Sequence, residues 1–237
     1  MYKVKTIKKF DKNNHEKIKT NCLIYCIHIQ VTDVNKAAKE IISLIEDKCW
    51  IKDLLDEDDL DSYKKRIEPT VKYLIEDILN NVENEVTTDF GEYLVSCISQ
   101  ITLKNNLNHD RILLAELWKE QKSGNPGFDF HTYSPNDLLV YGEAKYNAKN
   151  NPYTVAFKQI IDFIKIGKDI QEYTDLKRIF SKIKTRHKTN KNKAFVASFS
   201  LNAQDTDTVF SNALNNEQIE KLLEYPELYI LGVEVCR

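Results

Sequence analysis

Short runs of β-branched and aromatic residues alternate along this chain with longer stretches whose apolar positions recur at helical spacing. "NCLIYCIHIQV" (Asn21–Val31) is an apolar run of strand length. "DVNKAAKEIISLIEDKCWI" then sets Ala37, Ile41, Leu44, Ile45 and Trp50 on one helical face. "RIEPTVKYLIEDILNNV" repeats that spacing, with Pro69 tolerated in its first turn. "TTDFGEYLVSCISQITL" opens on the N-cap candidates Thr87, Thr88 and Asp89, and Phe90, Leu94, Val95, Ile98 and Ile101 mark its apolar face. "RILLAELWKEQ" predicts a further helix, stopped by "SGNPG" at 123–127. A hairpin follows, then "NPYTVAFKQIIDFIKIGKDIQEY", a helix opening near Pro152. "KAFVASFSL" reads as a strand, "NNEQIEKLLEY" as a helix and "ELYILGVEV" as a last strand. This order predicts an α/β protein with a mixed central β-sheet flanked by helices. An acidic N-terminal α/β elaboration over 1–85 and a core over 86–237 are expected.

Composition narrows the class. A chain of 237 residues with 42% hydrophobic and 30% charged side chains is long enough to bury its own core. No apolar run approaches the roughly 20 residues that span a bilayer, and "MYKVKTIKKFDKNNHEK" lacks the apolar stretch of a signal peptide. A cytoplasmic protein with no membrane partner is expected. The five cysteines form no CxxC pair and sit among apolar neighbours, which reads as buried free thiols in a reducing compartment.

The net charge of −2 conceals a gradient. Residues 31–90 hold 8 basic and 16 acidic side chains, a net of −8, whereas residues 141–200 hold 13 and 5, a net of +8. The acidic run 53–61 lacks the glycine of a calcium loop and reads as a solvated segment. "KIKTRHKTNKNK" (182–193) could track a phosphate backbone without reading sequence, or be a solvated loop.

The chemistry concentrates in "GFDFHTYSPNDLLVYGEAKY", Gly127–Tyr146. Side chains two apart on a strand share a face, so Glu143 and Lys145 point together with Leu139 and Tyr141, and Val140 and Ala144 point oppositely. On the preceding strand Asp129, His131 and Tyr133 share one face, and Phe128 and Phe130 the other. A turn over Ser134–Asp137, centred near residue 136, brings Asp129 opposite Glu143 and His131 opposite Tyr141. Opposed residues have Cβ atoms about 4.5–5.5 Å apart, and two carboxylates that close repel unless a cation lies between them. Oxygen ligands suit a hard cation, Mg²⁺ or Mn²⁺. Lys145 beside that ion would orient or deprotonate water and offset charge on a scissile phosphate, which suffices for phosphodiester hydrolysis. His131 reads as a packed or solvent-facing histidine rather than a ligand.

"GFDF" followed by "LLVYGEAKY" resembles the PD-(D/E)xK nuclease superfamily, whose restriction-endonuclease-like core is a mixed sheet flanked by helices. The resemblance implies that Asp129 and Glu143 bind metal, that the Ala144 carbonyl is a further ligand and that Lys145 is the catalytic lysine. It adds Glu92 in "FGEYL" as an acid from the first core helix, and Gln159 on the helix after the motif. The chain departs from the pattern at Phe163, where an aromatic Tyr is usual, and in having Phe rather than Pro before Asp129. "FGEYL", "GFDFH", "YGEAKY" and "AFKQI" are also similar to the nuclease subunit of Hachiman-type anti-phage defence systems, which implies a DNA nuclease held by a helicase partner. The chain has no phosphate-binding Gly-rich loop, so ATP-driven motion would belong to another chain. A non-catalytic DNA-binding adaptor and a stand-alone restriction or repair nuclease are the alternatives.

Overall fold

The computed structural model describes residues 1–16, 18–46, 65, 68–72, 75–76, 86–112, 127–180, 182–183 and 192–236. The elements among them are β1 (Tyr2–Phe10), β2 (Leu23–Val31), α1 (Val34–Glu46), α2 (Thr88–Leu107), β3 (Asp110–Arg111), β4 (Phe130–Tyr133) and β5 (Leu139–Lys145). They continue with α3 (Tyr153–Lys165), α4 (Lys168–Ile179), β6 (Lys193–Ser200), α5 (Thr206–Leu214), α6 (Ile219–Leu222) and β7 (Glu227–Val235).

One seven-stranded mixed sheet runs β1-β2-β7-β6-β5-β4-β3. Its centre is parallel: β2 pairs with β7, β7 with β6 and β6 with β5. Antiparallel β1 closes one side, and the antiparallel pair β4 and β3 the other. Central strands covered on both faces cannot alternate apolar with polar, which is why "KAFVASFS" and "ELYILGV" are buried along their length. The expected α/β architecture is therefore present. Strands from both sides of residue 85 share the sheet, because β2 and β7 pair from Leu23↔Glu227 to Val31↔Val235.

Two apolar layers sandwich the sheet. Phe90, Leu94 and Ile98 of α2 and Ala37, Ile41 and Ile45 of α1 meet Ile27, Val140, Val196 and Leu231 on one face. Phe157, Ile160 and Phe163 of α3 and Phe210 of α5 meet Tyr141, Phe195, Phe199 and Ile230 on the other. Each fully buried side chain of this size stabilises the fold by about 1.5–3 kcal/mol before entropy is counted.

Several expectations change in detail. The α2 helix is capped by Thr87, whose side chain accepts from the Phe90 N–H, but it is buried around most of its circumference, Ser96, Ser99, Gln100 and Thr102 included. The helix expected from Pro152 is two helices, because Gly167 adopts φ 70° between them. Arg111, expected to open a helix, lies in β3, Ile112 after it is buried and outside any helix, and residues 113–121 fall outside the described residues. The expected helix over 215–225 shrinks to α6. The whole of 53–61, most of 182–193 and Cys49 also lie outside the described residues. Cys22, Cys26 and Cys97 are buried and Cys236 is half-buried, and burial pushes the Cys22 and Cys26 thiols up to about 12. Among the described residues, no helix is long and apolar enough to cross a membrane.

Candidate active site

The site is assembled on the hairpin of β4 and β5. Ser134 N–H donates to the Leu138 carbonyl at 2.9 Å and Asp137 N–H to the Ser134 carbonyl at 3.1 Å. Asp137 takes the left-handed conformation, φ 60°, which its short polar side chain tolerates. That turn sets the register Phe130↔Gly142, His131↔Tyr141, Thr132↔Val140 and Tyr133↔Leu139. The ladder ends at Phe130↔Gly142; just before it the chain bends at Asp129, whose N–H donates to the Gly142 carbonyl at 2.9 Å and whose carboxylate lies close enough to Glu143 to raise it. The expected pairing of His131 with Tyr141 is observed.

Asp129 ends the ladder in an unusual way. Its carboxylate accepts from the Ala144 N–H at 2.7 Å, taking the place of a backbone acceptor where β4 has stopped. An extended residue directs its N–H and C=O to the same side of the strand. The Ala144 backbone thus faces the Asp129 side, while its methyl is buried against the α2 layer. The alternation expected for the upstream strand fails at Phe128. The chain bends at Asp129, so Phe128 lies not with Phe130 but on the opposite face, with ring centroids 5.0 Å from Tyr141 and 5.1 Å from Phe163.

Lys145 binds the acids together. Its Nζ lies 2.8 Å from Glu143 Oε1 and 3.5 Å from Glu92 Oε1. Glu92 arrives from α2, and its carboxylate also accepts from the Tyr146 backbone N–H. Glu143 is fully buried, whereas the Glu92 side chain is 33% exposed, so the cleft opens on the Glu92 side. Burial, and secondarily Asp129, pushes the Glu143 carboxyl well above the usual range, against the pull of Lys145. Burial likewise raises Glu92, opposed by Lys145 and aided by Asp129. Burial alone would lower the Lys145 ammonium, but Glu143, Asp129 and Glu92 outweigh it and hold the amine above its ordinary value. Three carboxylates thus share one ammonium in a low-dielectric cleft.

No protein-family model matches this chain, and no curated protein does. Hard oxygen donors, an excess of negative charge and, among the described residues, one ammonium beside the buried Glu143 carboxylate would suit a hard divalent cation such as Mg²⁺ or Mn²⁺. Among the described residues, no three His, Cys, Asp or Glu side chains already close into a cage. Lys145 bridges Glu143 and Glu92 instead.

The remaining expected residues fall elsewhere. Gln159 is half-buried on α3, and among the described residues no hydrogen bond or ion pair joins it to the acids. His131 is fully buried, with Nε2 at 2.9 Å from Glu172 Oε2 of α4, so it is a packed histidine. Phe163, at the position where the resemblance expects Tyr, packs in the core.

Two buried polar groups carried no sequence signal. Lys193 at the start of β6 pairs with Asp169 of α4, whose backbone carbonyl accepts from the Tyr141 hydroxyl at 2.8 Å. His109, just beyond α2, contacts Thr132 Oγ1 at 2.9 Å and the Tyr229 hydroxyl at 3.1 Å, and that hydroxyl donates to Glu227 at 2.7 Å. Such groups come from distant segments, so no local spacing announces them.

Proposed function

We propose that the chain is a divalent-metal-dependent nuclease that hydrolyses DNA phosphodiester bonds. The observation that carries this reading is the convergence of Asp129, Glu143 and Glu92 on the Lys145 ammonium at the end of β5. Glu92, Asp129, Glu143 and the Ala144 carbonyl would hold Mg²⁺ or Mn²⁺. When bound there, the ion supplies Lewis acidity toward a phosphoryl oxygen. Lys145 orients the attacking water and offsets charge on the scissile phosphate, and the apolar layers on either side limit bulk water around it. Gln159 is assigned a weaker part, facing substrate from α3. DNA as substrate is supported by the net charge of +8 over 141–200, the segment that contains β5, α3 and β6. A helicase partner and an anti-phage defence role rest on the sequence resemblance alone.

The test is incubation of the purified protein with plasmid in Mg²⁺ or in EDTA, alone and with any protein encoded beside it. Nicking that needs the divalent ion and disappears in Glu143→Gln is expected. Absence of divalent-dependent cleavage in both settings would leave the adaptor reading instead.

A further inference from the structure

Two of the six glycines stand immediately before a glutamate, in "FGEYL" and "YGEAKY", and both glutamates belong to the candidate site. In each case the missing side chain is filled by an aromatic ring that follows another site residue. A Cβ placed on Gly142 would lie 2.4 Å from the ring of Phe130, the residue after Asp129. A Cβ placed on Gly91 would lie 2.1 Å from Cγ of Tyr146, the residue after Lys145, and 2.4 and 2.6 Å from the two neighbouring ring carbons. Phe130 over Gly142 is a cross-strand pair within one hairpin. Tyr146 over Gly91 is different, because it joins β5 to a helix more than fifty residues away in sequence.

The consequence is geometric. With no Cβ at residue 91, the backbone of α2 rests directly on the Tyr146 ring, which is itself buried. That approach puts Glu92, the next residue, within 3.5 Å of Lys145 and lets its carboxylate take the Tyr146 N–H. Any larger residue at 91 would meet the root of the ring rather than a flexible tip, so it is the helix that must retreat.

We propose that Gly91 and the Tyr146 ring are positioning residues, forming a contact that sets how far Glu92 reaches toward Lys145. The effect on turnover rests on the nuclease reading; the effect on the Glu92–Lys145 distance does not.

The experiment compares wild type, Gly91→Ala, Tyr146→Ala and Gly91→Ala/Tyr146→Ala, with Gly232→Ala as a control for crowding away from the site. A Cβ at Gly232 would meet Phe210 at 3.1 Å. Two measurements are made on each protein: the nuclear Overhauser contact between the Lys145 and Glu92 side chains, and kcat and KM for Mg²⁺-dependent plasmid cleavage. Gly91→Ala is expected to lose the Overhauser contact and about 100-fold in kcat, with KM little changed, as a misplacement of roughly 1 Å can produce. Tyr146→Ala loses both in part. The double variant regains the contact and about tenfold in kcat over Gly91→Ala, because removing the ring makes room for the methyl group. Gly232→Ala lowers the unfolding midpoint and moves neither reading. An intact contact in folded Gly91→Ala overturns the proposal. If Gly91→Ala does not fold, an intact contact in Tyr146→Ala does the same. A wild type that never cleaves sinks the nuclease reading, while the Overhauser contact still decides the positioning claim.

Discussion

Lys145 Nζ sits 2.8 Å from Oε1 of Glu143, a side chain with no exposed surface, two residues earlier on the same strand. This ion pair is what makes a buried carboxylate tolerable at the end of β5. Removing one partner of such a pair leaves the other charge without compensation, which costs about 3–5 kcal/mol.

Lys145→Met is accordingly expected to lose about 3 kcal/mol of stability at neutral pH as well as cleavage. Lys145→Met/Glu143→Gln should recover most of that stability, since the fully buried carboxylate is removed together with its amine, while staying inactive. Urea denaturation of the three proteins decides it. A single variant as stable as wild type would show that Glu143 does not depend on the amine.

Gly142→Ala should destabilise by about 1–3 kcal/mol, because the new methyl group overlaps the Phe130 ring within a paired strand. Adding Phe130→Leu, which shortens the obstructing side chain, is expected to restore part of the loss. Thermal unfolding of the single and double variants reads this out. Additive losses would count against the contact.

Lys193→Ala strands the carboxylate of Asp169, which is 2% exposed, and should cost about 3–5 kcal/mol. Pairing it with Asp169→Asn is expected to return most of that amount, which a chemical denaturation cycle would measure. A loss below about 1 kcal/mol for Lys193→Ala would contradict the claim, being the size of an exposed pair.

Burial lowers His109 to about 4, with Asp110 opposing. The folded state therefore prefers the neutral ring, as its contacts with Thr132 and Tyr229 allow. Stability from this group is complete above the ordinary value of 6.5 and declines as pH falls toward about 4, where only the unfolded chain binds the proton. The decline amounts to about 3 kcal/mol, and His109→Gln should flatten it. Denaturation midpoints at several pH values for both proteins test this, and equal slopes would exclude His109 as the source.

Much of the architecture was legible because its causes are local. Apolar runs announced β2, β6 and β7, and helical spacing announced α1, α2 and α3. A turn chemistry confined to Ser134–Leu138 is enough to set the register that pairs His131 with Tyr141 and Phe130 with Gly142. Periodicity does not reveal the break at Gly167, because apolar spacing continues across it and one left-handed residue is enough to divide the helix. Strict alternation places Phe128 on the wrong face, because it holds only while the chain stays extended, and the chain bends at Asp129.

By itself, then, the sequence determined the element types, the mixed sheet, the hairpin register and the presence of two acids and an amine on one strand pair. These follow from turn geometry and side-chain period over a few residues. Only the tertiary structure decided that Lys145 spends its charge on Glu143 and Glu92, that α2 lies against Tyr146 through Gly91, and that His131 turns to Glu172. Those outcomes depend on how closely distant segments approach once the apolar layers close, and short-range pattern carries no information about that distance.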